Sequence, residues 1–421
     1  MSALASSSRS SFADILRANP RGWWIVLFMF LALACVFSAR AALGLIMPTW
    51  EQDLGWDRTF LSSGGSLILV FMTLISPLAG NLLDKTGPRP VICAALLFVG
   101  ASIASSALMT QAWQFIVLFC IVGGLGYGSL AAPQASATIA QIFDEHRGLA
   151  TGLATAGASG GLLLGIPLLA ALVEGIGWRA SFAGFGIFIM ALAPVAWLLL
   201  TPPKRENHSD GASGHASLSA RLRLILRNAT FWLLMGGFVI CGFTTSGVIE
   251  VHLIPYAISC GYPRFESATA LGVLSAANMG GMILAGFMAD KVNRPMLLGA
   301  IYFFRGLSFL ILMHITGNPE LLFLFAVIFG IFDYSTMPVL ASIVSTHVGV
   351  RVMGLTLGLL FGGHSAGAAA GAFMGGYFFD NFQSYEWVWI TSIGLALLAA
   401  VFSWLIREKR ETGSEPAVAA A

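Results

Sequence analysis

Arg40, Glu250, Arg305, Asp333 and His364 stand within or at the ends of long apolar runs. An ion in such a place is costly unless it is paired or used. The chemistry these residues offer is anion binding and proton transfer. An arginine is permanently charged and grips a carboxylate through two parallel N–H bonds. For Arg40 the competing reading is a cap on neighbouring carbonyls or a pair with Glu250. Arg305 and Asp333 lie about 10 and about 13 residues in from opposite ends of adjacent runs, hence at similar depth, and can pair. Their pair is either a structural salt bridge or a proton site, with Asp333 carrying the proton and Arg305 as its counter-charge. His364 titrates in the physiological range. It is either bonded to a helix carbonyl or a direct ligand for substrate or proton. Glu250 and His252 are two residues apart and so point to different faces of a helix. Either one of them lines an outer vestibule or both are interfacial.

Other chemistry is disfavoured. Gly157-Ala-Ser159-Gly-Gly161 matches a nucleophile elbow, but that elbow needs a strand–turn–helix context. Here it falls inside an apolar helical run, where its glycines serve packing. No phosphate-cradling glycine loop followed by Lys-Ser/Thr occurs, which argues against ATP drive. Cys35, Cys93, Cys120, Cys241 and Cys260 form no CxxC pair. They read as buried apolar filler rather than as a metal site or disulfide framework. No enzymatic site and no cofactor are expected.

The elements that must position these residues follow from composition. The chain has 421 residues, 57% hydrophobic and 10% charged. A soluble domain carries about 25% charged residues, so these charges cannot form a polar shell. Lipid is the natural solvent for such a surface. A spanning helix needs roughly 20 apolar residues. Twelve such runs appear, centred near Ala34, Phe71, Ala101, Gly123, Gly161, Met190, Val239, Asn278, Arg305, Phe332, Gly363 and Ala396. Residues 1–21 form a polar tail with no cleavable signal peptide expected, since the first run is too long for one. The polar stretch Thr201–Asn228 reads as a solvated linker between residues 22–200 and 229–406, with a tail at 407–421. Its segment Arg221–Arg227 suggests a basic helix on the membrane surface. Placing the N-terminus inside puts seventeen Lys and Arg residues in cytoplasmic segments against three outside, Arg58, Arg179 and Arg264. That bias predicts cytoplasmic termini in a plasma membrane, by inference a bacterial inner membrane. The net charge of +2 suggests no nucleic-acid partner.

The halves repeat. Gly80-Asn-Leu-Leu-Asp84-Lys85-Thr-Gly87-Pro88-Arg89 returns as Gly286-Phe-Met-Ala-Asp290-Lys291-Val-Asn-Arg294. Arg147-Gly-Leu-Ala-Thr151-Gly152 is echoed by Arg351-Val-Met-Gly-Leu-Thr356-Leu-Gly358. These loops resemble the signature of the major facilitator superfamily after its helices 2 and 8. The second copy lacks the second glycine, with Asn293 nearby. The resemblance implies an all-α membrane fold of two pseudo-symmetric six-helix bundles with a substrate between them. It also implies a latch made by Gly80, Asp84, Lys85, Arg89, Asp290 and Arg294. Asp84 and the nearby cations would pair across helix ends in the outward-open state only.

Within the superfamily the chain resembles the bacterial monocarboxylate-transporter-like and oxalate/formate-antiporter-like branch. The carriers are Gly22-Trp23, Arg147-Gly-Leu-Ala-Thr-Gly, Gly177-Trp178-Arg179, His252-Leu-Ile-Pro255-Tyr256, Arg305-Gly306-Leu-Ser and Gly363-His364-Ser-Ala-Gly367. In this fold helices 1, 4, 7 and 10 line the cavity, which makes Arg40 a candidate anion ligand. Tyr127, in Gly124-Leu-Gly126-Tyr127-Gly128, either reaches that cavity or packs. Asn278 stands where monocarboxylate transporters carry a helix-8 Asp, and His364 lies near the helix-11 Lys of the oxalate branch. The expectation is a monomeric secondary transporter of a small organic anion, a monocarboxylate, coupled to protons by Asp333, Arg305 and His364. The alternative is a proton-driven exporter of amphipathic drugs or metabolites, and a third reading is a non-transporting receptor.

Overall fold

The computed structural model describes residues 19–56, 58–143, 145–200, 217–382 and 384–408. The tail at 1–18, most of the linker (201–216) and the tail at 409–421 lie outside them.

The first six apolar runs become helices α1 (Pro20–Leu54), α2 (Arg58–Thr86), α3 (Pro88–Ser106), α4 (Ala112–Ala140), α5 (Arg147–Ile176) and α6 (Trp178–Leu199). A short linker helix, Leu218–Leu226, follows. The second set is α7 (Ala229–Ser259), α8 (Arg264–Ala289), α9 (Arg294–Leu312), α10 (319–349), α11 (Met353–Phe382) and α12 (Glu386–Trp404). Helices α10 and α11 follow one another almost without a loop. They are separated by the turn at Gly349, whose φ of 107° a side chain would resist. Helices suit a lipid surrounding because each satisfies most of its backbone internally.

Helix starts are encoded locally. Pro20, Pro88, Pro295 and Pro319 occupy first or second helical positions, where a missing N–H costs nothing. Asn19, Asn228 and Asn293 cap α1, α7 and α9 by accepting backbone N–H bonds from Gly22, Thr230 and Met296. The last of these explains the altered second repeat. Where the first copy uses Gly87 at φ 84° to open α3, the second uses the Asn293 side chain at φ −61° to open α9.

Two helices are broken near mid-depth. In α4 the backbone is extended at Leu130 and Ala131. Gln134 mends the gap: its Oε1 accepts from Ala131 N, and its Nε2 donates to Ser76 Oγ at 3.0 Å. In α10 the helix stops at Phe332 and resumes at Thr336, which leaves Asp333 at the break. Interrupted helices at membrane depth are tolerated where the backbone is buried in protein or lines a cavity.

Packing within each half is close. A Cβ on Gly367 or Gly371 of α11 would lie 2.0 and 2.4 Å from the carbonyls of Val239 and Phe243 of α7. The glycine ridge of α11 therefore works as the sequence suggests, by letting backbones touch. Far from the linker helix, Trp50 packs edge-on against Phe119 and Trp178 at 5.4 and 5.8 Å. That cluster ties the ends of α1, α4 and α6 together.

Candidate substrate cavity and conformational latch

The ends of α2 and α8 that carry the repeated loops define one face of the bundle, here the linker face. On it the two halves are locked in two equivalent places. Asp84 of α2 accepts from the backbone N–H groups of Gly354 and Leu355 at 2.8 and 3.0 Å. Asp290, just after α8, accepts from those of Gly148 and Leu149 at 2.8 and 2.9 Å. Each carboxylate thus caps the N-terminus of a helix of the other half, α11 or α5, where free N–H groups and the helix dipole favour an anion. Glycines make the approach possible. A Cβ on Gly80 would stand 2.0 Å from Gly354 O, and one on Gly286 2.4 Å from Gly148 O. Burial pushes the Asp290 carboxyl above the usual carboxylate range, against the lowering by its two N–H donors.

The acids and glycines of the expected latch are therefore where the repeats place them. Its cations are not. Arg89 bonds the carbonyl of Trp197 and lies over that ring, inside its own half. Arg294 pairs with Glu408 and reaches Ser342, also within one half. Lys85 is exposed. The physical reason is reach: these cations sit beyond the acids, on the loop or the next helix, and point away from the seam. Two other cations meet the seam: Arg147 donates to Ser345 Oγ of the other half at 3.1 Å, and Arg221 meets Asp84. The Arg221 guanidinium touches Asp84 at 2.5 Å, bonds Asn81, and donates to the carbonyl of Arg351. Arg221 is buried, which corrects the reading of Arg221–Arg227 as a surface helix. Of the three arginines in that segment, Arg223 and Arg227 are the exposed ones. Asn228 adds a further tie, donating to His347 O of α10 at 2.9 Å.

One prediction arises here. Arg221→Ala leaves the Asp84 carboxylate with its N–H donors but no charged partner. Loss of one partner from a part-buried ion pair costs about 2–3 kcal/mol of the latched state. Cysteines placed on the linker face should then label faster, while Arg223→Ala, at an exposed position, changes nothing. Equal labelling in the two variants removes Arg221 from the latch.

Away from the linker face the halves part around a cavity of about 810 Å³. Its lining comes from α1, α2, α4, α7, α10 and α11 and is largely apolar. Arg40 of α1 is on its wall, 4.9 Å from the Phe37 ring centroid. Among the described residues the Arg40 guanidinium has no hydrogen bond and no ion pair. Neither carbonyl capping nor a pair with Glu250 accounts for it. The facing wall carries His364, against Phe361 and Phe238 rings at 5.6 and 4.8 Å. No helix carbonyl holds its ring nitrogens among the described residues. Glu250 and Tyr334 also line the cavity: the Tyr334 hydroxyl donates to Glu250 Oε1 at 2.7 Å and meets Ser246 at 3.1 Å. His252 points the other way, to Ala372 O at 3.0 Å. The two-residue spacing separates their faces as expected.

Four expected site residues, Tyr127, Asn278, Arg305 and Asp333, are not on this wall. Tyr127 is 1% exposed, packed behind α2 and α3, because the glycines around it draw those helices in. Its hydroxyl has no hydrogen bond among the described residues. Asn278 is buried and holds the α10 break, donating to Asp333 Oδ2 and accepting from Tyr334 N at 3.3 Å each. Arg305 is fully buried. It donates to Cys241 Sγ at 3.1 Å, Thr245 Oγ1 at 3.2 Å and the backbone carbonyl of Asp333 at 3.4 Å. The expected carboxylate pair is thus replaced by a bond to the carbonyl freed at the helix break, and Asp333 Oδ1 has no hydrogen bond among the described residues. Cys241 is an arginine ligand rather than filler.

The repeat and the latch agree with a wider comparison. The sequence profile of the Major Facilitator Superfamily matches residues 29–359 and 283–420. The chain belongs to that superfamily. Among superfamily relatives, the uncharacterised transporter YcxA of Bacillus subtilis is 26% identical over 94% of this chain and 98% of its own. Monocarboxylate transporter 12 of Rattus norvegicus is 23% identical over 81% of this chain and 76% of its own. The agnestins efflux protein of Paecilomyces divaricatus is 25% identical over 69% of this chain and 65% of its own. Of solved structures, the human organic anion transporter MFSD10 superposes with a TM-score of 0.73 at 18% identity, covering 91% of this chain and 99% of that one. The proton:xylose symporter XylE gives 0.72 at 16%, covering 92% and 96%. The superfamily fold of twelve spanning helices in two bundles is therefore the fold of this chain, a multi-pass membrane transporter. Tyr334 was not foreseen from sequence, since a tyrosine beside an acid carries no periodic signal.

Proposed function

We propose that this transporter moves a small organic anion, a monocarboxylate, by alternating access coupled to protons. The observation that carries the reading is Arg40: a permanent charge on an apolar cavity wall with no hydrogen bond or ion pair among the described residues. An arginine so placed supplies two parallel donors to a carboxylate, and a low-dielectric wall strengthens the bond. The name of monocarboxylate transporter 12 supports the same substrate class. His364 faces the same space as second ligand or proton acceptor. Asp333, buried beside Arg305, is the proposed proton carrier. Its protonation state sets the charge at the α10 break and so biases the position of Tyr334 and the cavity wall.

The Lys and Arg bias supports the linker face as cytoplasmic, with both termini, in a plasma membrane. The conformer is then outward-open, held by the latch, and the unit is a monomer. The apolar share of the cavity and the efflux relatives favour one second reading, proton-driven export of amphipathic compounds.

Proteoliposomes test the coupling. With an inward proton gradient, wild-type protein should accumulate lactate or another short carboxylate. Asp333→Asn should keep exchange of labelled for unlabelled substrate but lose accumulation. Accumulation equal to wild type would make Asp333 structural. Absence of any carboxylate flux in wild-type protein would turn the assignment to export.

A further inference from the structure

Helices α2 and α11 are in contact at the linker face and separate above it. A Cβ on Gly358 would lie 2.6 Å from Ser76 O, yet one on Gly362, a turn further, would lie 3.6 Å from Thr73 O. Beyond that point the cavity lining continues outward between them. Val70 and Leu74 of α2, and Ala369 and Phe373 of α11, line the cavity. They are also exposed, Val70, Leu74 and Phe373 by 54%, 60% and 70%, and on α2 the exposed stripe continues to Leu78 and Leu82, which do not line the cavity. The second seam between the halves is different. Along α5 and α8, a Cβ on Gly148 would meet Gly286 O at 2.5 Å and one on Gly152 would meet Met282 O at 2.6 Å. Among the described residues none of the cavity lining comes from α5 or α8. The cavity therefore opens sideways through one seam, onto the surface that the bilayer covers.

We infer that the transported anion is amphipathic, with its carboxylate at Arg40 and His364 and its hydrocarbon tail in the α2–α11 cleft. This rests on the carboxylate reading and names the class of carboxylate. Small Ala366 and Ala369 leave the cleft open, and Val70, Leu74 and Phe373 give it apolar walls. A chain lying there stays out of water over its whole length, so affinity rises with each added methylene. A two- or three-carbon acid uses none of this surface.

The test compares butyrate and octanoate by the shift in Tm of the protein in nanodiscs. Octanoate should bind wild-type protein at least tenfold more tightly than butyrate. Ala369→Trp fills the cleft and should reduce that ratio below threefold while butyrate binds as before. Partition of octanoate into lipid is the same for both proteins and cancels in the comparison. Val70→Trp, on the facing helix, makes the same test where Ala369→Trp fails to bind butyrate. Arg40→Gln should lose both ligands. Equal affinities in wild-type protein, or a chain-length gain untouched by both tryptophans, overturns the tail site and leaves the carboxylate site standing. Binding of neither acid to wild-type protein removes both.

Discussion

Arg40→Ala should lose carboxylate uptake by about 100-fold at an unchanged amount of folded protein. The estimate follows from the bond being removed. A desolvated, charge-assisted pair contributes about 2–5 kcal/mol when one partner is truncated, and each 1.4 kcal/mol is about tenfold. The fold should tolerate the change, because Arg40 gives no hydrogen bond or ion pair to the described residues. Its guanidinium lies over the ring of Phe37, one turn earlier on the same helix. Loss of function without loss of Tm is therefore the expected combination. Arg40→Lys should recover part of the activity, as a point charge replaces a bidentate fork. Uptake by Arg40→Ala at the wild-type rate would exclude it from binding. A large fall in Tm would instead show that Arg40 braces the bundle.

Gly80→Val should trap the transporter away from the conformer described here. The Cβ alone would stand 2.0 Å from the carbonyl oxygen of Gly354, and that oxygen belongs to a helix that cannot shift by itself. To make room, α2 and α11 must part, which breaks the bonds from Asp84 to Gly354 N and Leu355 N. Overpacking costs about 1–3 kcal/mol and two lost charge-assisted bonds add to it, enough to invert a two-state balance. Transport should fall at least tenfold, because cycling needs both states. Distances between labels on the linker face should lengthen and those on the opposite face should shorten. Gly286→Val makes the same clash with Gly148 O in the other half and should have the same effect. Gly272→Ala, with nothing within 4 Å of its added atom, is the control. If Gly80→Val behaves as Gly272→Ala does, the glycine seam is not the latch.

Both expectations use residues that the sequence marks, but not for the same reason. Arg40 is visible because a charge in an apolar run is rare and costly. Gly80 and Asp84 are visible because the same pattern returns at Gly286 and Asp290. Their partners are less visible. Asp84 was expected to meet nearby cations. It meets instead the N–H groups of a helix some 270 residues away, which sequence spacing does not reveal. Arg221 was read as a surface cation because its neighbours Arg223 and Arg227 are basic, and local composition says nothing of what lies beneath. Cys241 and Thr245, four residues apart on one face of α7, both meet Arg305 of α9, a contact between helices that spacing along the chain does not reveal.

By itself the sequence determined the solvent, the twelve spans and the duplication, because each depends on periodicity and composition along the chain. It also determined which ionisable groups lie at membrane depth. Tertiary structure decided which of those face a cavity. Arg40, Glu250 and His364 do, while Asn278, Arg305 and Asp333 are sealed around a helix break, and Tyr127 is packed behind its glycines. The reason is geometric. A helix fixes the depth of a residue from its position in the chain, but the direction of its side chain has meaning only once the neighbouring helices are in place.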